Sequence, residues 1–212
     1  MLLLASASPR RRDLLAQAGF SFQVESIPVA EDLRPGEDAI HFVERLAREK
    51  AEAVFHARTH PSLRALDSSQ DPLLVLGADT VVVCDQEILG KPVDDADAMR
   101  MLHLLAGRTH QVITGVCLIS QLGSLVETEI AAESTSVTML TMSDEEIRAY
   151  VATGEPMDKA GAYAIQGHAS RWIPRISGCY FNVVGLPLAL VNTMIEAAQR
   201  KLSLAGCSTS RI

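Results

Sequence analysis

The sequence has no internal repeat, no low-complexity tract and no uncharged apolar run approaching the roughly 20 residues that cross a bilayer as a helix. Repeat arrays and helical membrane proteins are therefore poor descriptions of it. Its four cysteines, Cys84, Cys117, Cys179 and Cys207, form no C-x-x-C pair. Zinc-knuckle and redox-dithiol readings lose their support, and free thiols in a reducing compartment remain. The six histidines show no metal-ligand spacing; His56 and His60 stand four apart, but beside a polar loop with no supporting acid. Walker A loops, G-x-G-x-x-G turns and nucleophile elbows are missing as well. Positive charge is not in excess: 19 Lys and Arg face 26 Asp and Glu, a formal net charge of −7. Such a chain is a poor general binder of nucleic acid polymers or anionic membranes, so a polyanionic ligand would need a local basic patch. Met1–Ala5 is too short for a signal peptide, and the charges of Arg10, Arg11 and Arg12 follow it instead of preceding it, so a cytoplasmic protein is expected.

What is present is ordinary for a globular protein: 212 residues, 48% hydrophobic and 21% charged, enough to bury one sizeable core in one domain. Leu2–Ala5 reads as a short buried strand. Ser8 and Pro9 then open a helix as N-cap and first-turn residue, and Gly19 suits its end. Residues 20–27 alternate like a strand, and 37–57 carry apolar residues at helical spacing. The run 73–83 is apolar except for Asp79-Thr80, which suits a strand buried on both faces; a turn at Asp85-Gln86 folds it back on 87–89. A helix over 94–106, long strands over 111–119 and 125–140, and a helix over 143–153 with a Ser143/Glu146 capping box follow. A last amphipathic helix covers 186–204. Mixed strands and helices argue an α/β fold.

Four features carry candidate chemistry, each with a plainer alternative. Arg10, Arg11 and Arg12 sit in the first turn of a helix, where each cation costs roughly 0.3–1 kcal/mol. A bound phosphate would reverse that sign and meet free N–H groups, the Ser8 hydroxyl and bidentate guanidinium donors; a solvated basic helix start is the alternative. Asp79, set in an oily strand, is costly unless paired, hydrogen-bonded or metal-bound. It either faces a cleft, where it could meet substrate and Mg2+, or caps a neighbouring turn. Lys50, Lys91 (in Leu89-Gly90-Lys91-Pro92) and Lys159 (in Asp158-Lys159-Ala160-Gly161) lie in tight contexts, yet single lysines are more often solvated. In residues 158–167 the small side chains permit close backbone approach and Gln166 offers a donor and an acceptor to a base edge; a tightly packed turn would look the same. The acidic pair Glu31-Asp32 either helps hold a metal or solvates a loop.

Together these stretches resemble the Maf family of nucleotide pyrophosphatases. The matching blocks are Leu4-Ala5-Ser6-Ala7-Ser8-Pro9-Arg10-Arg11, Gly77-Ala78-Asp79-Thr80-Val81-Val82, Leu89-Gly90-Lys91-Pro92, residues 107–114, residues 158–167 and Val183-Val184-Gly185-Leu186-Pro187-Leu188, in family order. The resemblance implies an α/β fold with a central mixed twisted sheet flanked by helices, two lobes around a cleft, similar to inosine triphosphate pyrophosphatases. It implies one Maf-like domain over 1–212, in which 58–72 is expected to be a surface loop and 205–212 a frayed tail. It implies hydrolysis of a nucleoside triphosphate to the monophosphate and pyrophosphate with a divalent cation, Mg2+ or Mn2+. Asp79 matches the acid taken as the catalytic base, and Arg11, Thr80 and Gln166 match the positions that track substrate choice in the dTTP/UTP branch. The 7-methyl-GTP branch carries Gln after the acid and lacks the 158–167 block, so this sequence sides with dTTP and UTP. On this reading Asp79 and Glu31 hold the metal, Ser8, Arg10, Arg11, Lys50 and Lys91 meet the phosphates, and Lys159 binds substrate. Thr80 and Gln166 help read the pyrimidine. Ala7 and Ala164 replace frequent glycines of the family, which implies a slightly tighter site. A 7-methyl-GTP pyrophosphatase and a non-enzymatic regulator of septum formation are the alternatives. A homodimer is compatible with the sequence, although no interface can be read from it.

Overall fold

The structure, a computed structural model, describes residues 1–60 and 72–209, the side chains of 205–209 excepted. Its strands are β1 (Leu2–Ala5), β2 (Gln23–Val24), β3 (Leu73–Cys84), β4 (Glu87–Leu89), β5 (Thr109–Leu122), β6 (Leu125–Thr138) and β7 (Arg175–Ser177). Its helices are α1 (Pro9–Gln17), α2 (Ala39–Thr59), α3 (Asp95–Leu105), α4 (Asp144–Val151), α5 (Tyr180–Val184) and α6 (Leu188–Thr209). Three 3-10 turns, Glu155–Asp158, Ala160–Ala162 and His168–Trp172, lie between α4 and β7. The strands form one mixed sheet in the order β2-β1-β3-β5-β6-β7, with β4 also beside β3.

The pairing of β3 positions the site. On one edge β5 runs antiparallel to it without a break from Leu73 to Val83. The other edge is shared: β1 lies parallel to Leu74–Gly77, and β4 antiparallel to Val82–Cys84. Residues 78–81 have no strand neighbour there, so the sheet opens where the apolar run carries Asp79 and Thr80. Asp85 and Gln86, both with positive φ, make the tight turn that returns β4 to this edge.

Strand alternation sends successive side chains of β3 to opposite faces. On one face Val75 and Val81 join Val43, Leu46, Ala47, Ala51 and Val54 of α2 in two adjoining apolar clusters. On the other, Leu74, Leu76 and Ala78 pack against Leu14 and Leu15 of α1 and Val191, Met194 and Ile195 of α6. Farther along that second face, Val82 and Cys84 belong to a separate cluster with Leu102 and Leu105 of α3 and Ile147 and Tyr150 of α4. Two hydrophobic lobes thus share one sheet, and the cleft lies between them.

α2 lies unusually close to the sheet because two adjacent strands present glycine to it. A Cβ on Gly77 would collide with the Ala47 carbonyl oxygen and stand 2.9 Å from the Ala51 nitrogen; one on Gly115 would collide with the Val43 carbonyl. Helix backbone, unlike a side-chain tip, cannot swing aside.

Several expectations are corrected. The strand over 20–27 shrinks to Gln23–Val24, because only Leu3 and Leu4 offer it partners and Phe20 and Phe22 turn into the α1/α6 cluster. The 58–72 loop is only partly described: Arg58 and Thr59 continue α2, and residues 61–71 lie outside the described residues. The 205–212 tail is helical through Thr209, with 210–212 outside the described residues. Helix α5, β7 and the 3-10 turns had no sequence signal, being too short to show a period. The capping box is present as read, with the Ser143 and Glu146 side chains satisfying each other's backbone N–H.

Replacing Gly77 or Gly115 with alanine should destabilise the fold by about 3 kcal/mol, the upper end of overpacking costs. Gly90→Ala, with open space at its Cβ, should change stability by less than about 0.5 kcal/mol. Urea unfolding midpoints compare the three; equal midpoints would contradict the close helix–sheet contact.

Candidate active site

The opening in the sheet is the floor of a cleft of about 770 Å³, within the range of small-molecule sites. All ten residues singled out from the sequence line it: Ser8, Arg10, Arg11, Glu31, Lys50, Asp79, Thr80, Lys91, Lys159 and Gln166. Its lining carries five cations, Arg10, Arg11, Lys50, Lys91 and Lys159, against three carboxylates, Glu31, Asp79 and Asp158. The overall negative charge is locally inverted, which favours an anion where the chain as a whole would repel one.

β1 delivers the chain to the N-terminus of α1 at the cleft. Ser8 caps that helix, its hydroxyl accepting from the Arg11 backbone N–H at 3.4 Å. The three arginines then diverge. Arg12 turns away to Asp13. Arg10 reaches across to donate to the Asp158 carboxylate and carbonyl, both at 3.3 Å, and Lys159 pairs with the same carboxylate while donating to the Glu155 carbonyl at 3.2 Å. Arg11 donates through Nε to the Gly185 carbonyl at 2.8 Å, through Nη1 to Ser6 Oγ at 3.2 Å, and through Nη2 to Thr80 Oγ1 at 3.0 Å. All three acceptors are neutral. Burial pulls the Arg11 pKa down, against the opposing charge of Asp79, and a guanidinium held this way gains most from an incoming anion.

Across the gap, α2 brings Lys50 to the carboxylates. Its Nζ lies 2.6 Å from Asp79 Oδ1 and 2.5 Å from Glu31 Oε1. Asp79 is nearly buried, at 8% exposure, so this ammonium is what offsets its desolvation. Burial opposes the charged form of Glu31, but the Lys50 hydrogen bond and charge, with Lys91 and Arg11 behind them, hold its pKa below the ordinary value. The loop that carries Glu31 is tied to α2 by Arg45, which donates to the Asp32 carbonyl at 2.9 Å and grips the Glu37 carboxylate with two bonds of 2.6 and 2.8 Å. Among the described residues no group of three or more His, Cys, Asp or Glu could hold a metal. Two carboxylates converging on one cation are nevertheless a suitable set for Mg2+, which keeps waters and takes its remaining ligands from phosphates.

The neutral part of the lining gathers at Thr80 and at residues 163–166. Thr80 Oγ1 lies 2.9 Å from the buried Thr114 hydroxyl, which bonds to the Asn182 carbonyl at 3.3 Å. Tyr163 anchors its segment through His110, with Oη 2.7 Å from Nε2; burial pushes that imidazole down to about 4, so it is neutral. Gly161 N donates to the Gly90 carbonyl at 3.0 Å, joining the Lys91 turn to the Lys159 segment. The positive φ of Gly161 and the Val82 side chain against its Cα both require glycine.

Residues 1–198 match the family described as "Maf-like protein". The chain belongs to the Maf family. Among its relatives, the dTTP/UTP pyrophosphatase of Koribacter versatilis is 51% identical over 197 residues, covering 93% of this chain and 94% of its own. Those of Geobacter sulfurreducens and Syntrophomonas wolfei are 50% and 47% identical, covering 90% and 91% of this chain and 92% and 94% of theirs. The solved Staphylococcus aureus Ham1 protein aligns over 92% of this chain and 98% of its own with a TM-score of 0.43 and 14% identity. No helix of this Maf protein, among the described residues, is long and apolar enough to cross a membrane.

Three further contributors to the Maf cleft had no individual signal in the sequence. Ser6 and the Gly185 carbonyl hold Arg11, and Asp158 bridges Arg10 and Lys159. Each lies inside a matched block, but its role depends on contacts over long sequence separations.

The Glu37 clamp has a pH signature. Its hydrogen bonds from Arg45, outweighing burial, lower its pKa from 4.5 to about 2. A depressed folded-state pKa stabilises above the unfolded value and loses that stabilisation as pH falls through the folded one. Wild type should therefore be more heat-stable than Glu37→Gln above about pH 4.5, with the gap closing as pH approaches 2. Thermal melts of both proteins across that window test it, and a gap independent of pH would refute the clamp.

Proposed function

We propose that this Maf protein hydrolyses dTTP and UTP, and pyrimidine triphosphates resembling them, to the monophosphate and pyrophosphate, clearing such nucleotides from the pool. One observation carries the reading: the helix-start arginines and the strand carboxylate Asp79 meet in a single cleft, joined by the Arg11–Thr80 bond at 3.0 Å. The relatives named dTTP/UTP pyrophosphatase, 47–51% identical over nine-tenths of the chain, support the choice of substrate.

In this reading Arg10, Arg11, Lys91 and Lys159, with the Ser8 hydroxyl, bind the triphosphate, where free N–H groups of α1 and guanidinium forks suit its oxygens. Thr80 and Gln166 face the base, and neutral polar groups there read hydrogen bonds without attracting a further phosphate. Asp79 orients a water and takes its proton as the oxygen attacks the α-phosphorus. The bond from the α-phosphorus to the bridging oxygen breaks, and pyrophosphate leaves against the cations. Asp79 and Glu31 would hold a divalent ion, Mg2+ or Mn2+, which supplies Lewis-acid charge to the phosphates. Lys50 aligns both carboxylates for that work. The same Thr80 and Gln166 lining, with the complete 158–167 segment, favours pyrimidines over 7-methyl-GTP.

Asp79→Asn should leave folding intact, because Lys50 keeps Glu31 as its counter-charge, while turnover falls at least about a hundredfold. Pyrophosphate release from a panel of nucleoside triphosphates with Mg2+ is the measurement. Near-normal release by the variant would remove Asp79 from the chemistry, and a wild type silent across the panel would favour a binding role in its place.

A further inference from the structure

We infer that Tyr150 and Glu155, neither of which lines the cleft, are positioning residues that set the base-reading segment around Gln166. The inference rests on Gln166 facing the base as proposed above. The two side chains and the backbone of residues 164–168 close a ring of hydrogen bonds. Tyr150 Oη donates to Glu155 Oε1 at 2.8 Å and accepts from the Ala164 backbone N–H at 3.3 Å. Both Glu155 oxygens accept from the His168 backbone N–H at 3.1 Å. One phenol–carboxylate pair therefore pins an amide on each side of Ile165-Gln166.

Packing tightens the ring. A Cβ on Gly167 would collide with the Glu155 carboxylate, so the backbone rests directly on it. Tyr150 is buried, its ring centroid 5.7 Å from that of Trp172. Ile165, next to Gln166, packs against the cluster of Val184 and Leu186. Among the described residues the Gln166 carboxamide itself has no hydrogen-bond partner, so no side-chain bond aims it and its donor and acceptor are both available to a ligand. The Glu155 carbonyl also accepts from Lys159 Nζ at 3.2 Å, so one short turn holds a phosphate cation with its backbone and the base reader with its side chain.

Tyr150→Phe keeps the ring packing and deletes both bonds of the hydroxyl. Misplacing a substrate-orienting group by about an ångström costs up to about a hundredfold, and here the loss should fall on recognition. KM for UTP and dTTP should rise about tenfold with kcat within about twofold of wild type, and the preference in kcat/KM for UTP over ATP should shrink. A purely structural role would lower the melting temperature and the active fraction without moving that preference. Glu155→Gln, which keeps one acceptor oxygen, should fall between wild type and Glu155→Ala. In a Gln166→Ala background, Tyr150→Phe should cost no further preference, because contacts acting through one residue are not additive.

An unchanged KM and preference in a folded Tyr150→Phe protein, or full additivity with Gln166→Ala, overturns the inference while the pyrophosphatase reading stands. Wild type that releases no pyrophosphate from UTP or dTTP overturns both. Should the variants not fold, hydrogen exchange at the Ala164 and His168 amides of wild type decides: protection like that of α4 supports the ring, and exchange at open-loop rates overturns it.

Discussion

The backbone of α2 rests on Gly77 and Gly115, and the Lys50–Asp79 contact exists because it does. A side chain at either glycine would lift the helix and withdraw the ammonium from the carboxylate. Asp79 would then lose the counter-charge that offsets its burial. The same helix carries Arg45, which ties down the loop presenting Glu31. Helix-to-sheet distance, set by two missing Cβ atoms, thus governs the acidic half of the cleft.

The basic half depends on a different constraint, the division of one β3 edge between β1 and β4. Residues 78–81 lack a strand partner there, so the edge is open beside the polar pair Asp79-Thr80. The end of β1 points α1 at that opening, a position where open α/β sheets receive ligands. Asp158 then spans the cleft, linking Arg10 of one lobe with Lys159 of the other. Lobe separation and charge placement are in this way products of a single irregularity in strand pairing.

Where local chemistry was strong, the sequence was readable. Ser8-Pro9, the Ser143/Glu146 capping box and the apolar spacing of α2 each act within a few residues of chain, and each appears in the structure. Residues 20–27 misled because alternation alone does not supply a partner strand; only two positions of β1 were available. The last helix outran its expected end, running through Gly206 to Thr209 with no proline to stop it. In the site, eight of the ten chosen residues were legible because they fall in family blocks, while Glu31 and Lys50 lie outside those blocks and had only their local settings to mark them. Tyr150 and Glu155 were not, since a tyrosine on a helix and a glutamate in a turn are unremarkable until their partners are known.

By itself the sequence determined the kinds of group available, the caps that start the helices, the apolar faces that must be buried, and membership of a family. These are local or compositional properties and survive without knowledge of neighbours. Only the tertiary structure decided which groups meet. Arg11 finds the Gly185 carbonyl 174 residues away, and Arg10 finds Asp158 at 148. Such contacts follow from sheet order and helix depth, which arise from packing of the whole chain and leave no trace at either end of the pair.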